Sequence, residues 1–356
     1  MKVLITGICG FVGNALAHYL LSRSEDWEIF GLDTLLRPGS EVNRQALRSA
    51  GVHLFHADIR QPSDLAELPR VDWVIDAAGS PSVLAGMDGE ITSRQLMEHN
   101  LMGAINLLEY CQISRVGLIL LSSSRVYSVP ALAALPLRTE RHAFVLDTSA
   151  PLPRGLTAAG IGPQFSTESP VSLYGATKRA SELMALEYGA AFGFPVWINR
   201  CGVVAGAGQF GTSTQGIFAY WIHSHLRQRT LRYCGFGGTG YQVRDVLHPS
   251  DLAALIDAQM KTNHTGGSRI YTVGGGLDNA CSLAQLTNWC ETRFGHHSLS
   301  DPLADRPFDI PWVVMDGSDA AIDFGWSTQR NLHSILEEIA VHAEAYPDWL
   351  QLSAPL

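Results

Sequence analysis

The sequence predicts an α/β protein in which a doubly wound parallel sheet is joined to a smaller C-terminal α/β lobe. Strand-like and helix-like segments alternate through the first two hundred residues, which is the pattern of a parallel sheet covered by helices. The chain has 356 residues, more than one typical core holds, so a second unit is expected. Its 46% hydrophobic and 17% charged residues are typical of a globular protein and exclude a disordered one.

The elements follow from the length of each apolar run. Short runs predict strands at 2–6, 28–32, 52–56, 73–76, 116–121 and 195–198. Longer patterns predict helices at 11–22, 96–112, 174–192, 215–229, 282–293 and 331–345.

The alternation of predicted strands and helices also predicts the domain boundaries. Residues 1–200, with a returning segment near 241–262, are expected to form the main domain, and 201–240 with 263–356 the smaller lobe. The stretch 128–170 is rich in Pro, Gly, Ser and Thr and is predicted to be a long functional or mobile loop.

Charge, hydropathy and cysteine spacing limit the class of protein. The 25 basic and 34 acidic residues give a net charge of −9 without a basic run, which argues against a nucleic-acid partner. No run of about 18 uncharged apolar residues is present, so no membrane span is expected. The six cysteines form no Cys-x-x-Cys pair, and the chain opens on a strand-like run without a signal peptide pattern. We therefore expect a cytoplasmic protein with no membrane partner.

A glycine-rich segment, Thr6-Gly7-Ile8-Cys9-Gly10-Phe11-Val12-Gly13, falls between the first strand and the first helix. Gly7 permits a tight turn, Gly10 lets the backbone approach a diphosphate, and Gly13 lets the helix pack closely on the strand. The helix N-terminus favours negative charge at this point. The segment therefore predicts that the main domain is a dinucleotide-binding Rossmann domain.

Residues at the ends of the next strands complete the predicted cofactor site. Asp33 ends the second strand 20 residues after Gly13, where a carboxylate accepts hydrogen bonds from ribose hydroxyls. A carboxylate there repels a 2′-phosphate and favours NAD, although the nearby Arg37 offers such a phosphate a partner. Further candidate contacts lie at the ends of the third and fourth strands: Asp58, Ile59, Ala77 and Ala78.

Tyr174 and Lys178 open the predicted helix at 174–192, and their spacing places both side chains on one helix face. A neighbouring ammonium favours the phenolate form of the tyrosine, which then accepts a proton from a substrate hydroxyl. The preceding buried strand ends in Ser122-Ser123-Ser124-Arg125. A serine there is placed to orient the substrate oxygen, or else simply terminates the strand.

These motifs resemble those of the extended short-chain dehydrogenase/reductases that modify nucleotide sugars, over nearly the full chain. The shared motifs are Thr-Gly-x-x-Gly-Phe-x-Gly, the helix segment 100–109, Ser-Ser-Ser-x-Val-Tyr, Tyr-Gly-x-x-Lys, the segment 242–252 and Arg306-Pro-Phe-Asp309. The resemblance implies that Ser123, Tyr174 and Lys178 are catalytic. It also implies that Phe11, Val12 and Asn100, together with Tyr174 and Lys178, contact NAD.

Within that family the chain is most similar to the CDP-paratose (CDP-tyvelose) 2-epimerases. The similarity rests on Asp33 followed by Arg37-Pro38-Gly39, on Gly208-Gln209-Phe210, on Gln215-Gly216 and on the Gln-Val-Arg-Asp-Val-Leu-His block. It implies that Arg244 and Arg306 hold the nucleotide diphosphate, which agrees with the fit of a guanidinium fork to phosphate oxygens. It also implies substrate contacts from Ser124, Arg125 and Gln209.

Two departures from that family bear on the substrate. Ser124-Arg125 stands where the sugar 4,6-dehydratases of the family carry an Asp-Glu pair, which argues against dehydration by that route. The segment between Tyr127 and Tyr174 is longer than in these epimerases, and the strand end Asn199-Arg200-Cys201-Gly202 differs from theirs. Both differences touch the predicted sugar pocket.

The leading hypothesis is NAD-dependent epimerisation of a nucleoside-diphosphate sugar at C2, through a transient keto-sugar and returned hydride. A dehydratase, a 4-epimerase or a reductase of the same family is the alternative, and a non-catalytic dinucleotide sensor is a third. A homodimer built on the helices at 96–112 and 174–192 would suit the family. No metal site is expected, because the candidate histidines lack a complete ligand set at metal spacing: His223, His225, His296 and His297.

Overall fold

The computed structural model describes residues 1–24, 26–87, 89, 91–262 and 269–353. In these ranges the strands are β1 (Lys2–Thr6), β2 (Glu28–Asp33), β3 (His53–His56), β4 (Trp73–Asp76), β5 (Gly117–Ser123), β6 (Leu137–Glu140), β7 (Ala143–Leu146), β8 (Leu156–Thr157), β9 (Gly160–Ile161), β10 (Val196–Cys201), β11 (Val203–Val204), β12 (Val243–Leu247), β13 (Ile270–Val273), β14 (Ala280–Ser282) and β15 (Trp312–Val313). The helices are α1 (Phe11–Arg23), α2 (Val42–Ser49), α3 (Pro62–Ala66), α4 (Ser93–Met97), α5 (Gly103–Ser114), α6 (Val129–Ala133), α7 (Leu173–Phe192), α8 (Ile217–Leu226), α9 (Pro249–Lys261), α10 (Leu283–Phe294), α11 (Ser318–Phe324), α12 (Leu332–Ala345) and α13 (Trp349–Leu352).

The main sheet has seven strands in the order β13-β10-β5-β4-β1-β2-β3, and every neighbouring pair is parallel. The strand order reverses between β1 and β4, so the loops that follow these two strands diverge and leave a crevice at their carboxyl ends. Ligands of open α/β sheets bind in such a crevice. The predicted fold class, a doubly wound parallel sheet, is confirmed.

Helices cover both faces of the main sheet, because its central strands are apolar on both sides. On one face, Leu16 of α1 and Ile256 of α9 are fully buried against β1 and β4. On the other face, Leu107 of α5 and Ala185 of α7 are buried against β5 and β10. Parallel strands buried on both faces appear in a sequence as continuous apolar runs. Most strands of the main sheet could therefore be predicted from the sequence.

A second, smaller sheet is built around β12, which pairs with β11, β14 and β15. Helices α8, α10 and α12 pack together beside this sheet around the buried side chains of Trp221, Leu286 and Ile339. One strand belongs to a different domain from the one predicted for it. Residues 263–356 are predicted to lie in the smaller lobe, yet β13 pairs in parallel with β10 at the edge of the main sheet.

The stretch 128–170 differs most from the sequence-based expectation. It is not an irregular loop, since it contains α6 and two antiparallel hairpins, β6–β7 and β8–β9. Its apolar side chains form a core of their own with Trp312 and Met315. The predicted helix at 96–112 is also interrupted, because residues 98–102 form a π-helical turn between α4 and α5. Among the described residues, no helix is long and apolar enough to cross a membrane.

Candidate active site

The glycine-rich turn between β1 and α1 is packed so closely that Gly7 and Gly13 leave no room for a side chain. Gly7 adopts a φ of +62°, and a Cβ there would lie 3.0 Å from the Cα of Ala78. A Cβ at Gly13 would lie 2.5 Å from the carbonyl oxygen of Gly7. Gly10 caps α1 without a side chain, which leaves the first backbone N–H groups of the helix available to an anion. Phe11 and Val12 form the first turn of that helix.

Asp33 lies at the end of β2 and faces the glycine turn. Its two carboxylate oxygens accept backbone N–H groups, Oδ2 from Cys9 at 2.9 Å and Oδ1 from Leu35 at 2.8 Å. Each oxygen keeps a lone pair for a ribose hydroxyl. Arg37, the residue that weakens the sequence-based preference for NAD, donates to the carbonyl of Phe210 at 3.0 Å and lies over the ring of Phe210. The Arg37 side chain is therefore held by the chain itself.

Ala77 and Ala78 follow β4 on the other side of the crevice. The hydroxyl of Thr6 accepts both of their backbone N–H groups, at 3.1 and 3.0 Å, and donates to Asp76 at 2.8 Å. These bonds fix the backbone of β4 opposite the glycine turn. Asp58 and Ile59 lie beyond the end of β3 rather than within it, and both Asp58 oxygens bond to Arg60.

Asn100 lies on the π-helical turn, and 4% of the residue is exposed. Its side-chain oxygen accepts the N–H of Ser80 at 2.8 Å, and its amide nitrogen donates to the carbonyl of Ser80 at 3.1 Å and to the hydroxyl of Thr177 at 3.3 Å. Asn100 thus connects the loop after β4 to α7. These bonds hold the two segments together at the carboxyl ends of the strands.

Tyr174 and Lys178 both lie on the buried face of α7, each with 7% of the residue exposed. The Nζ of Lys178 donates to the carbonyl of Leu121 in β5 at 3.1 Å, and it lies near Gly79 at the end of β4. The helix begins at Ser172, whose hydroxyl accepts the N–H of Gly175 at 3.1 Å. The carboxyl ends of β4 and β5 therefore meet the first turns of α7 at one place.

Ser123 ends β5 beside Cys201 of β10, and its hydroxyl accepts the backbone N–H of Arg125 at 3.2 Å. Ser124 begins the short turn that follows and is 8% exposed. The carbonyl of Arg125 packs so closely on α7 that a Cβ at Gly175 would lie 2.2 Å from it. The serine-rich strand end and the first turn of α7 are thus in direct contact.

Three arginines are close enough to affect one another, and one carboxylate lies among them. Arg244 is 3.7 Å from Asp309 and donates to the carbonyl of Ile310, while Arg125 donates to the carbonyl of Phe308. Burial, followed by the charge of Arg125, lowers the pKa of Arg244 to about 9, and Asp309 partly opposes this shift. Burial likewise lowers the pKa of Arg125, with Asp309 opposing and Arg306 adding to the shift.

This cluster of Arg125, Arg244, Arg306 and Asp309 carries three positive charges and one negative charge. Repulsion among the three guanidiniums is relieved when an anion enters, so the cluster fits a diphosphate. Because the carbonyl of Arg125 packs against Gly175, the residue that follows Tyr174, the cluster lies near Tyr174. Gln209, also predicted to contact the substrate, donates through its amide nitrogen to the carbonyl of Val204 at 2.7 Å.

The geometry can be compared with that of known proteins. Residues 3–274 match the NAD dependent epimerase/dehydratase family. The chain belongs to this family. The match confirms the resemblance predicted from the sequence, and it confirms NAD as the cofactor.

The relatives of this protein catalyse more than one reaction. The chain is 29% identical over 294 residues to the CDP-paratose 2-epimerase of Salmonella typhi, covering 80% of this chain and 82% of that protein. Its fold is similar to that of the UDP-glucuronic acid 4-epimerase of Bacillus cereus solved with UDP-glucuronic acid and NAD, with a TM-score of 0.75, 23% identity, and 97% and 99% of the two chains covered. It is similar also to a double mutant of the dTDP-glucose 4,6-dehydratase DesIV of Streptomyces venezuelae, with a TM-score of 0.78, 24% identity, and 99% and 100% covered. Similarity in fold therefore does not distinguish an epimerase from a dehydratase.

Sequence alone does not identify several residues that shape the site of this family member. Thr6 stands directly before Gly7, and Asp309 ends the motif that begins at Arg306, so both had a positional signal. Thr177 lies between Tyr174 and Lys178 in the sequence, but nothing in the sequence predicts its hydrogen bond to Asn100. The carbonyl of Leu121 leaves no signal in a sequence, because every residue carries one.

Proposed function

We propose that this enzyme epimerises a nucleoside-diphosphate sugar, with C2 as the carbon that is inverted. The observation that carries the proposal is the meeting of two groups of residues at the first turn of α7. Ser123, Tyr174 and Lys178 supply proton chemistry, and the three-arginine cluster beside Tyr174 supplies a site for a diphosphate. A sugar joined to that diphosphate would reach the tyrosine. The 29% identity to a CDP-paratose 2-epimerase supports C2.

In this mechanism Tyr174 acts as the base. Its phenolate takes the proton of a sugar hydroxyl while Ser123 holds the same oxygen through its own hydroxyl. NAD, when bound, would accept and return the hydride of the carbon that bears this hydroxyl, and the glycine turn and Asp33 would hold its diphosphate and its ribose. Lys178, anchored on the Leu121 carbonyl, keeps positive charge close to the phenolate. Tyr174 returns the proton to the same sugar oxygen when hydride re-enters that carbon from the opposite face, so the configuration of the carbon is inverted.

The residues after Ser123 argue against elimination of water. A dehydratase of this family uses an Asp-Glu pair, and this chain has Ser124 and Arg125 at those positions. The Arg125 guanidinium donates to the Phe308 carbonyl at 3.1 Å and carries no proton that it can exchange near neutral pH. The site therefore has a base in Tyr174 but lacks a carboxylic acid at these two positions.

The test is a screen of CDP-, UDP-, GDP- and dTDP-sugars for thermal stabilisation, followed by product analysis of the best ligand. We expect a product of unchanged mass with one inverted centre, identified by NMR. A deuterium placed on that carbon should be retained, because the same hydride returns. A product that has lost water would favour the dehydratase, and stoichiometric accumulation of NADH would favour a net dehydrogenase.

We also propose that the protein is a cytoplasmic homodimer. All six cysteines are free thiols, as expected in a reducing compartment. Helices α5 and α7 pack against each other and expose large apolar side chains, among them Ile113 with 80% and Leu183 with 49% of the residue exposed. A second copy of the chain would cover them.

A further inference from the structure

A cavity of about 790 Å³ lies outside the active site. Its walls are the segment 153–168, the face of α7 that carries Arg179 and Leu186, the end of β10 and the start of β13. Arg200 and part of the segment between Tyr127 and Tyr174, which the sequence placed near the sugar pocket, line this cavity instead, and none of the residues predicted to contact NAD or the nucleotide sugar lines it. A cavity of this volume accommodates a small metabolite.

The lining of this cavity is unusually rich in arginine. Arg154, Arg179, Arg200 and Arg269 line it, and Glu168 is the one acidic residue among its lining residues. Glu182 lies directly behind two of these arginines, 3.1 Å from Arg179 and 2.8 Å from Arg200. Four positive charges and two negative charges leave the cavity with a net charge of +2, which a dianion would balance.

The four arginines differ in what they can offer a ligand. Arg200 is 2% exposed, and it donates to Glu182 through Nε and Nη2 and to the carbonyl of Pro163 through Nη1. It is held by the protein. Arg179 shares Glu182 with Arg200 and has 29% of its side chain exposed. Arg154 and Arg269 also line the cavity, and neither forms an ion pair within the described part of the chain.

Apolar side chains complete the lining. Phe165, Leu186 and Ile270 form one part of the wall, next to the arginines. We propose that this cavity binds a small phosphate monoester, with its phosphoryl group held by Arg154, Arg179 and Arg269 and its organic group against the apolar wall. A phosphate monoester carries close to two negative charges near neutral pH, and guanidinium forks match its oxygens.

The cavity is connected to the catalytic strand through Glu182. That carboxylate accepts the hydroxyl of Ser122 at 2.6 Å, and Ser122 precedes Ser123. An anion at Arg179 competes with Glu182 for this guanidinium. Ligand binding would therefore act on a carboxylate that contacts the strand carrying Ser123.

The test uses phenyl phosphate as the probe and isothermal titration calorimetry at fixed ionic strength, with the NAD-loaded enzyme. We expect saturable binding at one site, weakened at least about tenfold in the double variant R154A/R269A, because two charge-assisted contacts are lost. Arg23→Ala, which removes an exposed arginine on α1, and Arg306→Ala, which alters the predicted diphosphate site, should leave the affinity unchanged. Each single variant, R154A and R269A, should weaken binding in the same direction.

Three results would overturn the proposal. The first is the absence of saturable binding to the wild-type enzyme. The second is loss of binding in Arg306→Ala but not in R154A/R269A, since the probe would then occupy the diphosphate site. The third is equal affinity for inorganic phosphate, because the apolar wall would then contribute nothing. Circular dichroism and thermal unfolding of R154A/R269A establish that the variant is folded.

Discussion

At the scale of single residues, Tyr174 is the most direct test of the proposed chemistry. Its hydroxyl is the only part of the side chain that exchanges a proton, and Phe keeps the buried ring. We expect Tyr174→Phe to lower kcat by about 10²- to 10⁴-fold on the sugar identified by the screen, while bound NAD is retained. Tyr188→Phe, which removes a hydroxyl from the same helix at its bond to Glu109, should leave kcat unchanged. Equal loss in both variants would contradict a catalytic role.

Asp245 is a buried carboxylate that makes stability depend on pH. Its Oδ2 accepts the N–H groups of Gly276 and Met315, and its Oδ1 has no hydrogen-bond partner in the described structure. Burial raises the pKa of Asp245 to about 7, and the bonds from backbone N–H groups only partly oppose this. Because the folded pKa lies above the unfolded one of about 4, the fold loses stability as the pH rises from about 4 to about 7, and the loss is complete above that range.

The Asn variant isolates this effect, since it cannot titrate. We expect the free energy of unfolding of the wild type to fall relative to that of Asp245→Asn by about 1 kcal/mol per pH unit between pH 5 and pH 7, and then to level. Urea denaturation at several pH values measures this difference. Parallel pH profiles for the two proteins would show that Asp245 keeps its ordinary pKa in the folded state.

At the scale of elements, the N-terminus of α7 combines a cap with backbone strain. Ser172 adopts a φ of +78° and a ψ of 162°, a region that favours glycine, and its hydroxyl caps the helix at Gly175. Ser172→Ala removes the cap and keeps the strain, so we expect it to cost about 1 kcal/mol of unfolding free energy. Ser172→Gly loses the cap but removes the strain and should be the more stable of the two. The reverse order in urea denaturation would contradict this account.

The sequence predicted elements well where one local rule decides the structure. Strands β1, β4 and β5 are buried on both faces and are therefore continuous apolar runs, and the turn at Gly7 requires glycine. Local rules fail where a distant contact decides. The segment 128–170 is structured because its side chains pack against residues near Trp312. Likewise β13 joins the main sheet through backbone hydrogen bonds to β10, and no local sequence pattern predicts this pairing.

The same division applies to the active site. The motifs placed Tyr174 and Lys178 on one helix face, because helix periodicity is local. The approach of Arg125, Arg244 and Arg306 around Asp309 depends on the packing of the smaller lobe against the end of β5, and only the resemblance to a family pointed to these arginines. Residues that act through backbone carbonyls, such as Leu121, leave no trace in sequence.

At the scale of the whole molecule, the proposed dimer predicts a specific sensitivity to charge. Ile113 on α5 and Leu183 on α7 expose apolar surface on two helices that pack together, and a two-fold axis would bring this surface against its own copy. We expect the wild type to sediment as a dimer and the double variant I113E/L183E as a monomer, because buried carboxylates without partners are costly. Ile322→Glu is the control, since Ile322 has 79% of the residue exposed on α11. A wild type that is monomeric at all concentrations, or a dimer that Ile322→Glu dissociates, would place the contact elsewhere.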